Sequence, residues 1–365
     1  MKILIAPNAF KGTMTAEEAS AIIREVIYDQ FPDTEFILCP IADGGDGTSY
    51  LLAKALALPL SQMVALDALG RPVPGYYAMD IESSSALLDV STVSGIHLLQ
   101  KEERDPFCTC TYGTGELIRA ALAEGAKHIE LGLGGTASID MGIGVLRGLG
   151  FLFLDQNGRE VPMFSPGYLD KIKHIQRPLS KLDLEFTLLC DVENTFFGPQ
   201  GAIPVFGAQK GLPQEREGDL IRSAEYFFGL LKSKTKKHLQ DQPGFGAAGG
   251  IAMGLSAFFP VEIVNGSDYF FQKVNMEEHI KWADLIITGE GKYDEQSAQG
   301  KGSYKLMKLA KKSNKKIVLI TSGNDYGEGF DDVIYLPPLG PKKESEEAMA
   351  SLHTSVKAFF KEIRI

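Results

Sequence analysis

Cysteine is scarce, with four residues in 365: Cys39, Cys108, Cys110 and Cys190. That is too few for a disulfide framework, and Cys108 and Cys110 are spaced C-x-C, not the C-x-x-C of redox and zinc sites. Histidine occurs six times, scattered, with no H-E-x-x-H or H-x-x-x-H spacing, so a transition-metal site is disfavoured. No apolar run reaches the length of about 18 residues that a transmembrane helix needs. The opening Met1–Pro7 stretch is too short for the apolar core of a secretion signal, and a cytoplasmic location is expected. A basic surplus is lacking too: 37 Lys and Arg stand against 47 Asp and Glu, a net charge of -10. General binding to nucleic acid or an acidic membrane needs cations to neutralise phosphates and is therefore not expected. Any anionic ligand must meet positive potential that is local.

Glycine, in contrast, is plentiful, with 39 residues against an average of about 7% of a chain. It is clustered at 43–47, 132–150, 244–254 and 289–302. Glycine is costly inside helices and strands, so such clusters mark tight turns or close backbone approach to a ligand. Apolar periodic segments flank each one. Residues 2–6, 36–41, 284–288, 316–321 and 333–336 read as strands. Between them fall helices: one capped by Thr15-Ala16-Glu17-Glu18 with Ala19, Ile22, Ile23, Val26 and Ile27 on one stripe, one near 48–57, and one over 303–312 capped by Ser303. Strands alternating with helices imply parallel βαβ units. Shorter, unevenly spaced strands are expected at 76–90, 129–133, 151–154 and 185–190. The fold class is α/β: a Rossmann-like parallel-sheet domain made from both chain ends, 1–66 and 284–365, with a second α/β domain, 67–283, inserted. The active site is expected in a cleft between them, one that closes to exclude water.

Five segments carry chemistry. Ala6 to Thr15, with Lys11, joins a strand to a helix N-terminus, where backbone N–H groups favour an anion. Ala42-Asp43-Gly44-Gly45-Asp46-Gly47-Thr48 offers two carboxylates at another such corner, suited to Mg²⁺ or to a base; it also reads as a solvated turn. Gly132 to Gly144 sets Gly134, Gly135, Thr136 and Ser138 where backbone and hydroxyl donors can wrap a phosphate or a small hydroxy acid. It is neither a Walker A loop nor a dinucleotide fingerprint. Gly244 to Gly254 is either a second such loop or a small-residue helix packed closely on a neighbour. Cys190-Asp191-Val192-Glu193-Asn194 follows an apolar strand, and Lys210 downstream offers a cation. Finally, Thr288-Gly289-Glu290-Gly291-Lys292-Tyr293-Asp294 and Gly300-Lys301-Gly302-Ser303 place acids and lysines around one loop. Acids for a metal ion and a lysine for phosphate are what phosphoryl transfer needs.

In this order the five segments, with Asp67-Ala68-Leu69-Gly70-Arg71-Pro72 and Tyr112-Gly113-Thr114-Gly115-Glu116-Leu117-Ile118, resemble the bacterial glycerate kinase family of the glycerate 2-kinase type. The resemblance runs from about residue 1 to 323. The chain departs from the family pattern at Asn8-Ala9 (usually Asp-Ser), at Asp46 (usually Glu), at Ile139 (usually Asn) and at Thr195 (usually Pro). The resemblance implies transfer of the γ-phosphoryl group of ATP, with Mg²⁺, to D-glycerate. The expected product is 2-phosphoglycerate, in organic-acid catabolism. Lys11 and Lys301 are then expected on anionic oxygens of phosphate or carboxylate. Asp191, Glu290 and Asp294 would serve Mg²⁺ or deprotonate the acceptor hydroxyl, with Asp43 a further candidate; spacing does not separate ligand from base. Arg71 is a candidate for gripping the glycerate carboxylate with two hydrogen bonds. The rival readings are a kinase for another hydroxy or sugar acid and a non-enzymatic sensor of small acids.

Overall fold

A computed structural model describes residues 1–10, 12–164, 167–235, 238–293, 302–322, 327–338 and 345–362. Among these, the strands in chain order are β1 (Lys2–Ile5), β2 (Glu35–Leu38), β3 (Leu60–Leu66), β4 (Pro72–Asp80), β5 (Ser85–Asp89), β6 (His128–Gly132) and β7 (Leu152–Leu154). They continue with β8 (His174–Gln176), β9 (Glu185–Leu189), β10 (Val261–Val264), β11 (Leu285–Gly289), β12 (Lys316–Thr321) and β13 (Asp332–Tyr335). The architecture is α/β. The chain divides into two compact units, Met1–Asp43 with Ser267–Ile365, and Gly44–Gly266.

The first unit holds a five-stranded parallel sheet in the order β13-β12-β11-β1-β2. Counted along this unit alone, the order is 2-1-3-4-5, one of the doubly wound arrangements. Parallel strands covered on both faces read as continuous apolar runs. Here Ile3, Leu4, Ile5, Ile286, Ile287 and Ile317 to Ile320 are all buried. The helix Ala16–Gln30 starts at the expected capping box. Thr15 Oγ1 accepts from the Glu18 backbone N–H (3.1 Å), and the Glu18 carboxylate accepts from that of Thr15 (2.8 Å). Ser303, expected as a cap, instead lies inside the helix Gly302–Lys312, in its first turn.

The second unit holds a six-stranded sheet, β10-β9-β6-β5-β4-β3. Its first four strands are parallel, and an antiparallel hairpin, β4 with β3, extends one edge. A small antiparallel ribbon pairs β7 with β8. The unit boundaries fall at 43/44 and 266/267, not at the expected 66/67 and 283/284. The helix Thr48–Ala55 packs on β4, β5 and β6, and β3 pairs with β4, so both belong with the second sheet. The helix Met276–Trp282 packs on β1 and on Gly302–Lys312 and so belongs with the first.

Candidate active site

In open α/β sheets ligands sit outside the carboxyl ends of parallel strands, at the point where the strand order reverses. In the first unit that point lies between β1 and β11. The chain leaving β1 is tied to β11: Thr288 Oγ1 donates to the Ala6 carbonyl (2.8 Å) and Asn8 N–H to that of Gly289 (2.7 Å). The Asn8 side chain is thereby buried, its Oδ1 accepting from Ala9 N–H and its Nδ2 donating to Asp43 Oδ2 at 3.4 Å. Asp43, reached through the chain after β2, is half-buried. Glu290, directly after β11, is buried, and its backbone N–H is held by the Ile320 carbonyl (3.0 Å). Tyr293 follows on the same loop, and burial, with the Glu290 charge adding to it, pushes its phenol well up. Asp43 and Glu290 thus share this carboxyl edge. Lys11, Asp294 and Lys301 lie outside the described residues.

In the second unit the carboxyl ends of β5, β6, β9 and β10 bring together four stretches: 89–97, 132–144, 190–195 and 264–266. Asp191 is half-buried just past β9, and its Oδ1 accepts from the Gly266 N–H at 2.9 Å. Gly134 lies backbone to backbone on Gly45: a Cβ there would meet the Gly45 Cα at 2.3 Å. Gly135, at φ +72°, is exposed. Thr136 and Ser138 are buried and meet each other (Oγ1 to Oγ, 3.3 Å), and Thr136 Oγ1 also reaches the Ser94 carbonyl. Their hydroxyls therefore brace the loop from beneath.

Two further cations expected at the site already have partners within the second unit. Lys210 is buried, donates from Nζ to the Ser138 carbonyl (2.8 Å), and is pushed down to about 7 by desolvation, which the nearby Asp140 partly offsets. Asp140 accepts from Thr111 N–H and Oγ1 and from Gly142 and Gly144 N–H. Burial raises its carboxyl, and those donors oppose the rise. Arg71 closes the β3–β4 turn, with Nε on Asp67 Oδ2 (2.7 Å) and Nη1 on Glu103 Oε1 (2.6 Å). Its carboxylate partners are already inside the chain, because Asp67 also takes the Leu69 and Arg71 N–H groups of that turn. Gly244–Gly254 combines a short turn with the helix Ile251–Ser256, pressed so closely on the 138–142 loop that a Cβ on Gly254 would meet the Met141 carbonyl at 2.0 Å.

Sequence reasoning passed over Asp89. It is fully buried at the end of β5 and accepts from Ser49 N–H (3.0 Å) and Ser49 Oγ (2.7 Å). Burial drives its carboxyl up to about 7, against the pull of those bonds. The available signal was an acid closing an apolar strand, Ser85-Ala86-Leu87-Leu88-Asp89. Among the described residues no group of three or more His, Cys, Asp or Glu is placed to hold a metal ion. Mg²⁺ that arrives with a nucleotide needs only one or two carboxylates beside the phosphates. Asp43 and Glu290 in the first unit, and separately Asp191 in the second, are oxygen donors of the kind that chemistry uses.

Parallel sheets with carboxylates and glycine loops at their carboxyl edges, together with the kinship that follows, define the class: an α/β phosphotransferase with an alcohol group as acceptor. The profile of the Glycerate kinase family matches residues 3–363. The glycerate 2-kinase of Escherichia coli K12 is 34% identical over 338 residues, 91% of this chain and 87% of that protein. The glycerate kinase of Bacillus subtilis 168 is 34% identical over 349 residues, 93% and 91% of the two chains. The crystal structure of a candidate glycerate kinase 2 from Salmonella typhimurium LT2 superposes with a TM-score of 0.83 at 31% identity, covering 99% of this chain and 98% of that one. The chain belongs to the glycerate kinase family. No helix among the described residues is long and apolar enough to cross a membrane.

Proposed function

We propose that the protein transfers the γ-phosphoryl group of MgATP to D-glycerate and releases 2-phosphoglycerate, as a step of organic-acid catabolism. The observation that carries this reading is the near full-length match to a glycerate 2-kinase, 87% of that protein's length. Phosphoryl transfer asks a protein mainly for positioning and for charge at the transferring group. Asp43, Glu290, Asp191 and Asp294 supply carboxylates for Mg²⁺ and for the acceptor hydroxyl. Lys11 and Lys301 supply positive charge for phosphate or carboxylate oxygens. An aspartate suffices as base because the loose transition state demands little proton removal.

The test is ADP release from MgATP with D-glycerate, run beside other hydroxy and sugar acids. Coupling the product to enolase with and without a phosphoglycerate mutase reads the position: signal without mutase is expected. Signal only with mutase overturns the 2-phospho assignment, and no ADP release with D-glycerate overturns the substrate. Wild-type kcat in both Asp191→Asn and Asp294→Asn overturns the site assignment.

A further inference from the structure

Three residues of the second unit form a linked set at the end of β5. Asp89 sits under the Asp43–Thr48 loop. Its carboxylate takes the N–H and hydroxyl of Ser49 and a backbone hydrogen bond from Gly47. Gly132 on the neighbouring strand leaves room for it, since a Cβ there would lie 2.1 Å from Asp89 Oδ1. Two residues on, the buried hydroxyl of Ser91 donates to Asp46 Oδ1 at 2.5 Å. The segment 89–91 therefore holds the Asp46 loop twice, by its backbone just after Asp46 and by the Asp46 side chain. Despite these holds the Asp46 side chain is 60% exposed, with His97 Nδ1 3.7 Å from its other oxygen.

Asp46 is thus held at one oxygen while its side chain stays presented to solvent. With a hydroxyl on Oδ1 and an imidazole beside Oδ2, its charge is partly spoken for. Such a carboxylate, with a polar partner beside each oxygen, suits a neutral O–H donor better than a divalent cation, which takes oxygens free of competing partners. We propose that Asp46 is a specificity-determining group that accepts a hydrogen bond from a hydroxyl of the acceptor acid, and that Asp89 and Ser91 are positioning residues that pre-set it. The inference rests on the D-glycerate reading above.

A double-mutant cycle tests it, using Ser91→Ala, Asp46→Asn and the pair, with KM and kcat measured separately for D-glycerate and MgATP. A hydrogen bond to a charged group is worth about tenfold or more in such ratios. Ser91→Ala is expected to lower kcat/KM for D-glycerate about tenfold, and Asp46→Asn to lower it further. The pair should match Asp46→Asn alone, because the only task of Ser91 is to aim that carboxylate. KM for MgATP should stay within twofold of wild type throughout. Additive losses, or equal effects on both substrates, overturn the inference while the wild type remains active. A wild-type enzyme inert with D-glycerate overturns both this and the reading it rests on.

Discussion

Replacing Lys210 with methionine separates a brace from a ligand contact. Methionine keeps much of the length and apolar body of the side chain and removes only the ammonium. Folded, that ammonium titrates near 7 because burial disfavours its charge, while its ordinary value is 10.5. Between these values the unfolded chain binds a proton that the native protein does not. Wild-type stability therefore rises with pH across the window, and below about pH 7 the cost of keeping the buried charge is paid in full. At about 1.4 kcal/mol per pH unit, the interval from about pH 7 to about pH 9.5 is worth about 3 kcal/mol. The variant also loses the Nζ hydrogen bond to the Ser138 carbonyl, about 1–3 kcal/mol. Urea unfolding followed by circular dichroism at several pH values should show wild type gaining on Lys210→Met by about 3 kcal/mol over that range. A stability difference that stays flat with pH, joined to a large rise in substrate KM, refutes the brace and restores Lys210 as a ligand contact.

Asp89→Asn reverses the pH dependence: a carboxyl raised to about 7 makes the native state lose stability as pH climbs from about 4 to about 7. The neutral variant should therefore gain on wild type over that window in the same urea assay. Gly134→Ala should abolish activity and lower soluble yield, because the new Cβ meets main-chain atoms of Gly45 at 2.3 and 2.9 Å and neither backbone can yield cheaply; an active, well-expressed variant contradicts the close approach. Thr15→Ala should cost about 1 kcal/mol of stability, the usual worth of such a cap. Its kcat/KM should remain near wild type, read from thermal melts and the ADP-release assay.

Strands buried on both faces were legible, because a parallel central strand must be apolar almost throughout: Ile3 to Ile5, Ile286 to Ile287 and Ile317 to Ile320 announce themselves. The strands that escaped notice are mostly edges. β3 buries only Ala65 fully, leaves Val64 exposed, and flanks the second sheet; β10 flanks its other side with no fully buried residue. An edge strand can be half polar without cost, so its sequence carries little contrast. The domain boundary was misplaced for a related reason. The helix Thr48–Ala55 is continuous in sequence with the first unit's strands, and its partners on β4, β5 and β6 are visible only once the sheet is assembled. Arg71 shows the limit for single residues: Asp67-Ala68-Leu69-Gly70-Arg71 reads as chemistry, yet its charges are satisfied within one hairpin turn and by Glu103.

The glycine clusters signalled close approach, but often to other backbone and not to a ligand. Gly134 rests on Gly45, and Gly254 on the Met141 carbonyl. These contacts lock separate loops of the second unit to one another without side chains between them. A loop so locked cannot relax around a displaced carboxylate, so the packing of Gly134 on Gly45 adds to the hold of Ser91 on the neighbouring Asp46. If Asp46 has the role proposed for it, this fixed position has a catalytic use. In phosphoryl transfer a misplacement of about 1 Å can cost about a hundredfold, and flexible acidic loops would spend that factor. The glycines and the buried acids Asp89 and Asp140 thus serve one end. The former remove the side chains that would hold the loops apart, and the latter bind buried N–H groups at the starts of the helices Thr48–Ala55 and Ile143–Gly148.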